Sequence, residues 1–134
     1  MSEFIAWDES FAVGIAGIDH DHWHLLQSLG VCYAQYRDSP ATYAAADFLS
    51  DVHAHLAAHF ALEEKYMRRS GQPDLVPHQA AHAALLDAVS DRMEDHYDND
   101  QPFDDAAFTA FLRAWLIEHF RTSDAHLVAG SEVP

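Results

Sequence analysis

Apolar side chains recur at intervals of three and four residues in four separate stretches of this chain. No other feature constrains the fold as much, because that spacing puts side chains on one face of a helix. The first stretch runs from about Asp19 to Tyr36, with the stripe His22, Leu25, Leu26, Leu29, Cys32, Tyr33 and Tyr36. Asp19 is the expected N-cap. The second is capped by Ser39, has Pro40 at its first helical position and runs to about Arg69, with Gly71 just past its end. Its stripe is Leu49, Val52, Leu56, His59, Glu63 and Met67. The third starts near Asp74, tolerates Pro77 in its first turn and carries His78, His82, Leu85, Leu86, Val89 and Met93. The fourth begins near Asp104 or Asp105, with the stripe Phe108, Phe111, Leu112, Trp115, Leu116, His119 and Phe120.

Four helices joined by short loops pack most simply as an up-down-up-down four-helix bundle, an all-α fold. Residues 1–18 carry Phe4, Trp7 and Phe11 and are expected to lie as a strap on the bundle. Residues 128–134 are expected to form a loose tail. The acidic run Asp98-Asn99-Asp100-Gln101-Pro102 lacks the glycine and spacing of a calcium loop and reads as a solvated connection.

With 134 residues, 49% of them hydrophobic, the chain is expected to form one domain over residues 1–134. Acidic residues number 22 against 7 basic ones, a formal charge of −15 that argues against nucleic acid or an anionic membrane surface as partner. The single cysteine, Cys32, excludes an internal disulfide and falls on an inner stripe, where it serves as a small hydrophobe. The N-terminal residues have neither the basic nor the apolar region of a secretory leader, and no stretch approaches the ~18 apolar residues of a membrane span. The expected compartment is the cytoplasm and the expected form a monomer. No motif points to Ser/His/Asp catalysis, a phosphate loop or a dinucleotide fold.

The unusual count is histidine, at 11. His22, His59, Glu63, His78, His82 and His119 all fall on stripes that must face inward. Burying such groups without partners costs kilocalories each. His59 and Glu63 are four apart, as are His78 and His82, so each pair leaves one helix face. One such pair alone is more often structural, and a lone inward histidine is more often a hydrogen-bonded core residue. The whole set on the correct stripes points to a metal centre, since neutral imidazoles and carboxylates are metal ligands by type. Donor type alone leaves zinc, copper, nickel and iron open. Asp124 lies five residues after His119, about 140° around a regular helix, and needs a distortion or a helix end to share the site.

The residues quoted next resemble the hemerythrin family in its single-domain bacterial form. They are the leader Trp7-Asp8 with Val13-Gly14-Ile15, then Ile18-Asp19-His20-Asp21-His22 and His59-Phe60-Ala61-Leu62-Glu63-Glu64. They continue with His78-Gln79-Ala80-Ala81-His82 and with Trp115-Leu116-Ile117-Glu118-His119 plus Asp124. The alternative di-iron design uses Glu-x-x-His pairs, and the sequence contains none. The resemblance implies two iron ions, ferrous or ferric, bridged by hydroxide or oxide. His78, His82 and His119 would hold one, His22 and His59 the other, and Glu63 and Asp124 would bridge them. One position would stay open on the iron with two histidines. Reversible dioxygen binding, for carriage, storage, delivery or sensing, is the implied function, with no enzymatic activity. The alternative is an enzyme or redox sensor acting on peroxide or nitric oxide at the same site. An oxygen-using or signalling protein is the further partner such a role implies. Leu25, Phe60, Trp115, Leu116 and Phe120 would wall the oxygen pocket, and they serve equally as core.

Of the other histidines, His20, His24, His53, His96 and His126 are expected on the surface, and so is His55, one turn before His59, its alternative being a hydrogen-bond partner near the site. Glu64, beside Glu63, is expected to be solvated. Gly30 departs from the family pattern within the first helix and is expected to cost up to ~1 kcal/mol against alanine.

Overall fold

The computed structural model describes residues 11–12, 16–39, 43–97 and 103–121. Within them the chain forms four helices, α1 (Ala16–Asp38), α2 (Ala45–Ser70), α3 (Leu75–Tyr97) and α4 (Asp105–Arg121), and no strand. The aromatic contacts establish the up-down-up-down arrangement. Tyr36 at the end of α1 stacks on Phe48 at the start of α2, with ring centroids 5.1 Å apart. Phe48 in turn meets Phe108 at the start of α4, at 5.9 Å. Arg92, late in α3, lies over the Phe111 ring at 4.4 Å. One end of the bundle is therefore an aromatic plug made by the ends of α1 and α3 and the starts of α2 and α4. The opposite end gathers the starts of α1 and α3 and the ends of α2 and α4. The inward histidines and Glu63 all sit there.

Between the two ends runs a layered aliphatic core. Leu29, Leu49, Val52, Leu56, Leu85, Val89, Leu112 and Leu116 are essentially inaccessible to solvent. Burying side chains of this size stabilises the fold by ~1.5–3 kcal/mol each. Cys32 is buried, as its place on the stripe implies. Burial pushes its thiol pKa up, so it is a poor nucleophile. Of the residues expected to form the strap, Phe11 is buried against Phe120 at 5.6 Å. Phe4, Trp7, the run 13–15, the loop 98–102 and the tail 128–134 lie outside the described residues.

Two helix starts differ from the sequence reading. Helix α1 begins three residues before Asp19, which sits inside its first turn as an acidic residue near the positive helix end, not as the cap. Helix α2 begins at Ala45, not Pro40. The Ser39 carbonyl accepts the Tyr43 N–H at 2.8 Å. The helix itself starts where the Asp47 carboxylate accepts the Ala44 N–H at 3.3 Å. The buried Tyr43 donates its hydroxyl to Asp51. The other two starts agree with expectation. The Asp104 carboxylate accepts the Ala107 N–H at 3.0 Å and caps α4, and Pro77 sits in the first turn of α3.

The α2–α3 corner sets the site's register, since Glu63 and His78 lie on either side of it. Gly71 has φ +69°. Its N–H reaches the Arg68 carbonyl while the Gln72 N–H reaches the Met67 carbonyl, which is a Schellman stop. An added Cβ would meet nothing within 4 Å, so the demand for glycine is conformational. Gly71→Ala is therefore expected to lower stability by ~1–2 kcal/mol, the cost of a left-handed L-residue. A urea midpoint equal to that of the unchanged protein would contradict this.

Candidate metal centre

Glu63 is the hub of the buried polar cluster. It leaves α2 one turn after His59, and its carboxylate is fully enclosed. Its two oxygens serve different histidines. Oε2 lies 2.9 Å from His22 Nε2 and 3.4 Å from His59 Nε2. Oε1 lies 2.7 Å from His78 Nε2, 3.1 Å from His82 Nε2 and 3.8 Å from His119 Nε2. Two groups result, His22–His59–Glu63 and Glu63–His78–His82–His119. Within each, the donor atoms lie within 4.8 Å of one another. Every one of these residues is buried. Helices α1 and α2 build the smaller group, and α2, α3 and α4 the larger.

Three aromatic rings fix the orientation of the imidazoles. Phe60 stacks on His82 at 3.9 Å with 4° between planes. Trp115 stacks on His119 at 4.6 Å and 18°. Phe120 stacks on His22 at 4.3 Å and 23°. Each is a residue expected to wall a pocket, and each is also what holds a histidine plane. Leu25 and Leu116 are buried in the same core, while Trp115 is only half-buried.

The cluster's electrostatics fit a cation. Burial alone would push the Glu63 carboxyl up. The imidazoles of His119, His22, His59 and His78 around it outweigh that and hold it well below the usual carboxylate range. Protons alone satisfy the geometry poorly. Three Nε2 atoms converge on the single oxygen Oε1, which has about two lone-pair positions. His82 Nε2 and His119 Nε2 face each other at 3.2 Å, and at most one proton fits between them. At least one lone pair is thus aimed into the same space. A cation at the convergence point accepts all of these lone pairs at once, so the donor set suits a bound metal.

Glu64 is not solvated, contrary to expectation. It lies about 100° around α2 from Glu63, facing α3. Its Oε2 is 2.8 Å from His82 Nδ1, and its Oε1 accepts from Gln79 Nε2 at 3.3 Å. The sequence carried only a faint signal for this, an acidic residue at the edge of a buried stripe. His20, His24 and His55 are exposed as expected, while His53 and His96 are half-buried. His126 and Asp124 lie outside the described residues.

Comparison with known proteins agrees with this architecture. A family model described as the hemerythrin HHE cation binding domain matches residues 13–129. The chain is 30% identical over 118 residues to a myohemerythrin of Riftia pachyptila, covering 88% of this chain and 86% of that protein. It is 29% identical, with the same coverage, to a myohemerythrin of Sipunculus nudus. Since all four helices, Glu63 and both histidine groups fall inside the family match, the chain belongs to the hemerythrin family.

Proposed function

We propose that this chain, as one domain, is a non-haem di-iron protein that reversibly binds dioxygen. The observation that carries the reading is the division of five imidazoles between the two oxygens of one buried carboxylate. A carboxylate with a separate histidine set at each oxygen is suited to bridge two metals. His78, His82 and His119 would hold one and His22 and His59 the other, with Glu63 between them. The unequal sets leave the two-histidine position with fewer protein donors, and that is where a small ligand has room. Iron is the metal implied by membership in the family. When bound, the pair supplies a reducible centre with an open coordination position.

The chain's own residues do the rest. Glu63 supplies the negative charge that offsets the cations. The aromatic rings hold the imidazole planes. Phe120 beside His22 and Phe60 beside His82 keep water from the centre, which favours reversible binding over loss of electrons to solvent. The role is that of a binder rather than an enzyme.

Asp124 is proposed as the second bridge. Asp124→Ala is expected to lose or disorder one metal, read as iron per chain and as loss of the oxygen-dependent colour. Two irons and unchanged colour would remove Asp124 from the site.

The direct test is iron content with visible spectra of one sample, reduced without oxygen, then in air, then deoxygenated. Two irons per chain and a band that appears in air and disappears on deoxygenation are expected. A band that decays at once would move the assignment to an enzyme or redox sensor at the same centre. Zinc alone, or no metal, would leave only the bundle.

A further inference from the structure

We propose that Glu64 is a positioning residue for His82, fixing the tautomer that leaves the Nε2 lone pair facing the metal and strengthening that nitrogen as a donor. The inference rests on the metal-centre reading above and concerns a residue outside the donor set. His82 is fixed in two ways. The Phe60 ring, 3.9 Å away and 4° from parallel, sets the plane of the imidazole. Stacking alone leaves the ring free to flip by 180° about Cβ–Cγ, which would put carbons where Nδ1 and Nε2 stand, and leaves the proton of the neutral ring free to sit on either nitrogen. The Glu64 carboxylate removes that freedom. Its Oε2, 2.8 Å from Nδ1, requires a proton there. A neutral imidazole then carries its lone pair on Nε2, the atom that points at Glu63 Oε1 and at His119 Nε2.

Glu64 is itself held for this task. Gln79, on the same helix as His82, donates to its Oε1 at 3.3 Å. Arg68, one turn along α2, sits 4.0 Å from the same oxygen. The carboxylate is mostly shielded, with 18% of its side chain exposed, while that of His82 is 1% exposed. A carboxylate in so sheltered a place acts strongly on the imidazole it touches. Drawing the Nδ1 proton toward an anion gives the ring imidazolate character and makes Nε2 a better electron donor. The metal at the three-histidine position is thereby favoured in its oxidised state. The sequence carries this arrangement as an acidic residue directly after the central Glu63 and a glutamine directly after His78.

The test compares the full-length protein with Glu64→Ala and Glu64→Gln. Each apoprotein is titrated anaerobically with ferrous iron, its melting temperature is recorded, and the midpoint potential of the loaded form is measured. Glu64→Ala is expected to lose 10–100-fold in affinity for iron, the usual effect of removing such a partner. Glu64→Gln keeps an amide carbonyl to accept the Nδ1 proton, so most of that affinity returns. Its midpoint potential is expected to shift upward, because a neutral acceptor makes a weaker donor of His82. A merely structural tie between α2 and α3 would not move the potential of the glutamine variant. Unchanged affinity in Glu64→Ala, or an unchanged potential in Glu64→Gln, overturns the proposal while leaving the metal centre standing. If the alanine variant does not fold, the near-isosteric glutamine variant decides the matter by its potential alone. An unchanged protein that takes up no iron overturns the metal-centre reading and this proposal together.

Discussion

Glu63→Ala is expected to abolish loading of the metal pair and still leave a folded apoprotein. Among the described residues the carboxylate is the one group shared by both histidine clusters, so its loss removes a donor from each metal position and negative charge between them. The effect on folding is smaller than the burial of the group suggests. Removing one partner from a buried ion pair costs about 3–5 kcal/mol when the other must stay charged. Here the other partners are imidazoles, which exist as neutral rings and need not stay charged. What remains is buried imidazole N–H groups without an acceptor, at about 1–3 kcal/mol each. Neighbouring rings take up part of the loss, since His82 Nε2 and His119 Nε2 lie 3.2 Å apart and can share a proton, so only part of the set is orphaned and a domain stable by ~5–15 kcal/mol survives it.

The pH dependence of the same variant follows from the direction of the shift. Hydrogen bonds from the histidines hold the Glu63 carboxyl low in the folded apoprotein. Its contribution to stability is therefore fully present above the ordinary carboxylate pKa of about 4.3. It is lost as pH falls through the lowered folded value. The stability gap between the unchanged apoprotein and Glu63→Ala should be widest near neutrality and close in acid. Iron per chain measures the first expectation, and chemical denaturation across pH measures the second. Two irons retained in Glu63→Ala would remove Glu63 as the bridge.

How much of this was legible in the sequence depended on which physical effect dominated at each residue. The stripes were legible because burial of Leu29, Leu56 or Leu112 repeats with the helix period, and no competing signal exists for a leucine in that position. His22, His59, Glu63, His78, His82 and His119 stood out for the opposite reason: polar groups on those stripes contradict the pattern. Helix starts were harder. Ser39 and Pro40 form a good local start signal, yet α2 begins at Ala45. Asp47 supplies the backbone bond there, and the buried Tyr43 is held by Asp51. Those preferences involve partners several residues away, which local propensity does not weigh. Glu64 was misread for a related reason. Its angle around α2 puts it at the edge of the buried face, and only the register of α3 against α2 determines whether it meets water or His82. Register between helices is a property of packing, and the period of one helix does not contain it.

Phe120→Ala is expected to have the largest effect on stability and to shorten the life of the oxygen-dependent absorption. The ring is 1% exposed. It lies against His22 at 4.3 Å and against Phe11 at 5.6 Å, so it joins Phe11 to the His22 side of the centre. Truncating such a phenylalanine costs ~3–5 kcal/mol through lost transfer energy and the cavity left behind. At this chain length that corresponds to a fall of roughly 10–20 °C in melting temperature. The cavity would not stay dry, because the His22 imidazole borders it, with the Glu63 carboxylate 2.9 Å from that ring's Nε2, and a water needs such partners to enter. Water beside the two-histidine position supplies the protons that the apolar wall keeps away, so the band formed in air should decay faster. Phe120→Leu separates the two effects. It retains most of the apolar volume and should lose far less stability, while giving up the stacked face that holds His22. A faster decay in the leucine variant would trace the effect to the orientation of His22, and a decay confined to the alanine variant would trace it to water. Phe120→Ala with lowered stability but an unchanged decay would reduce this ring to ordinary core and place the pocket wall elsewhere.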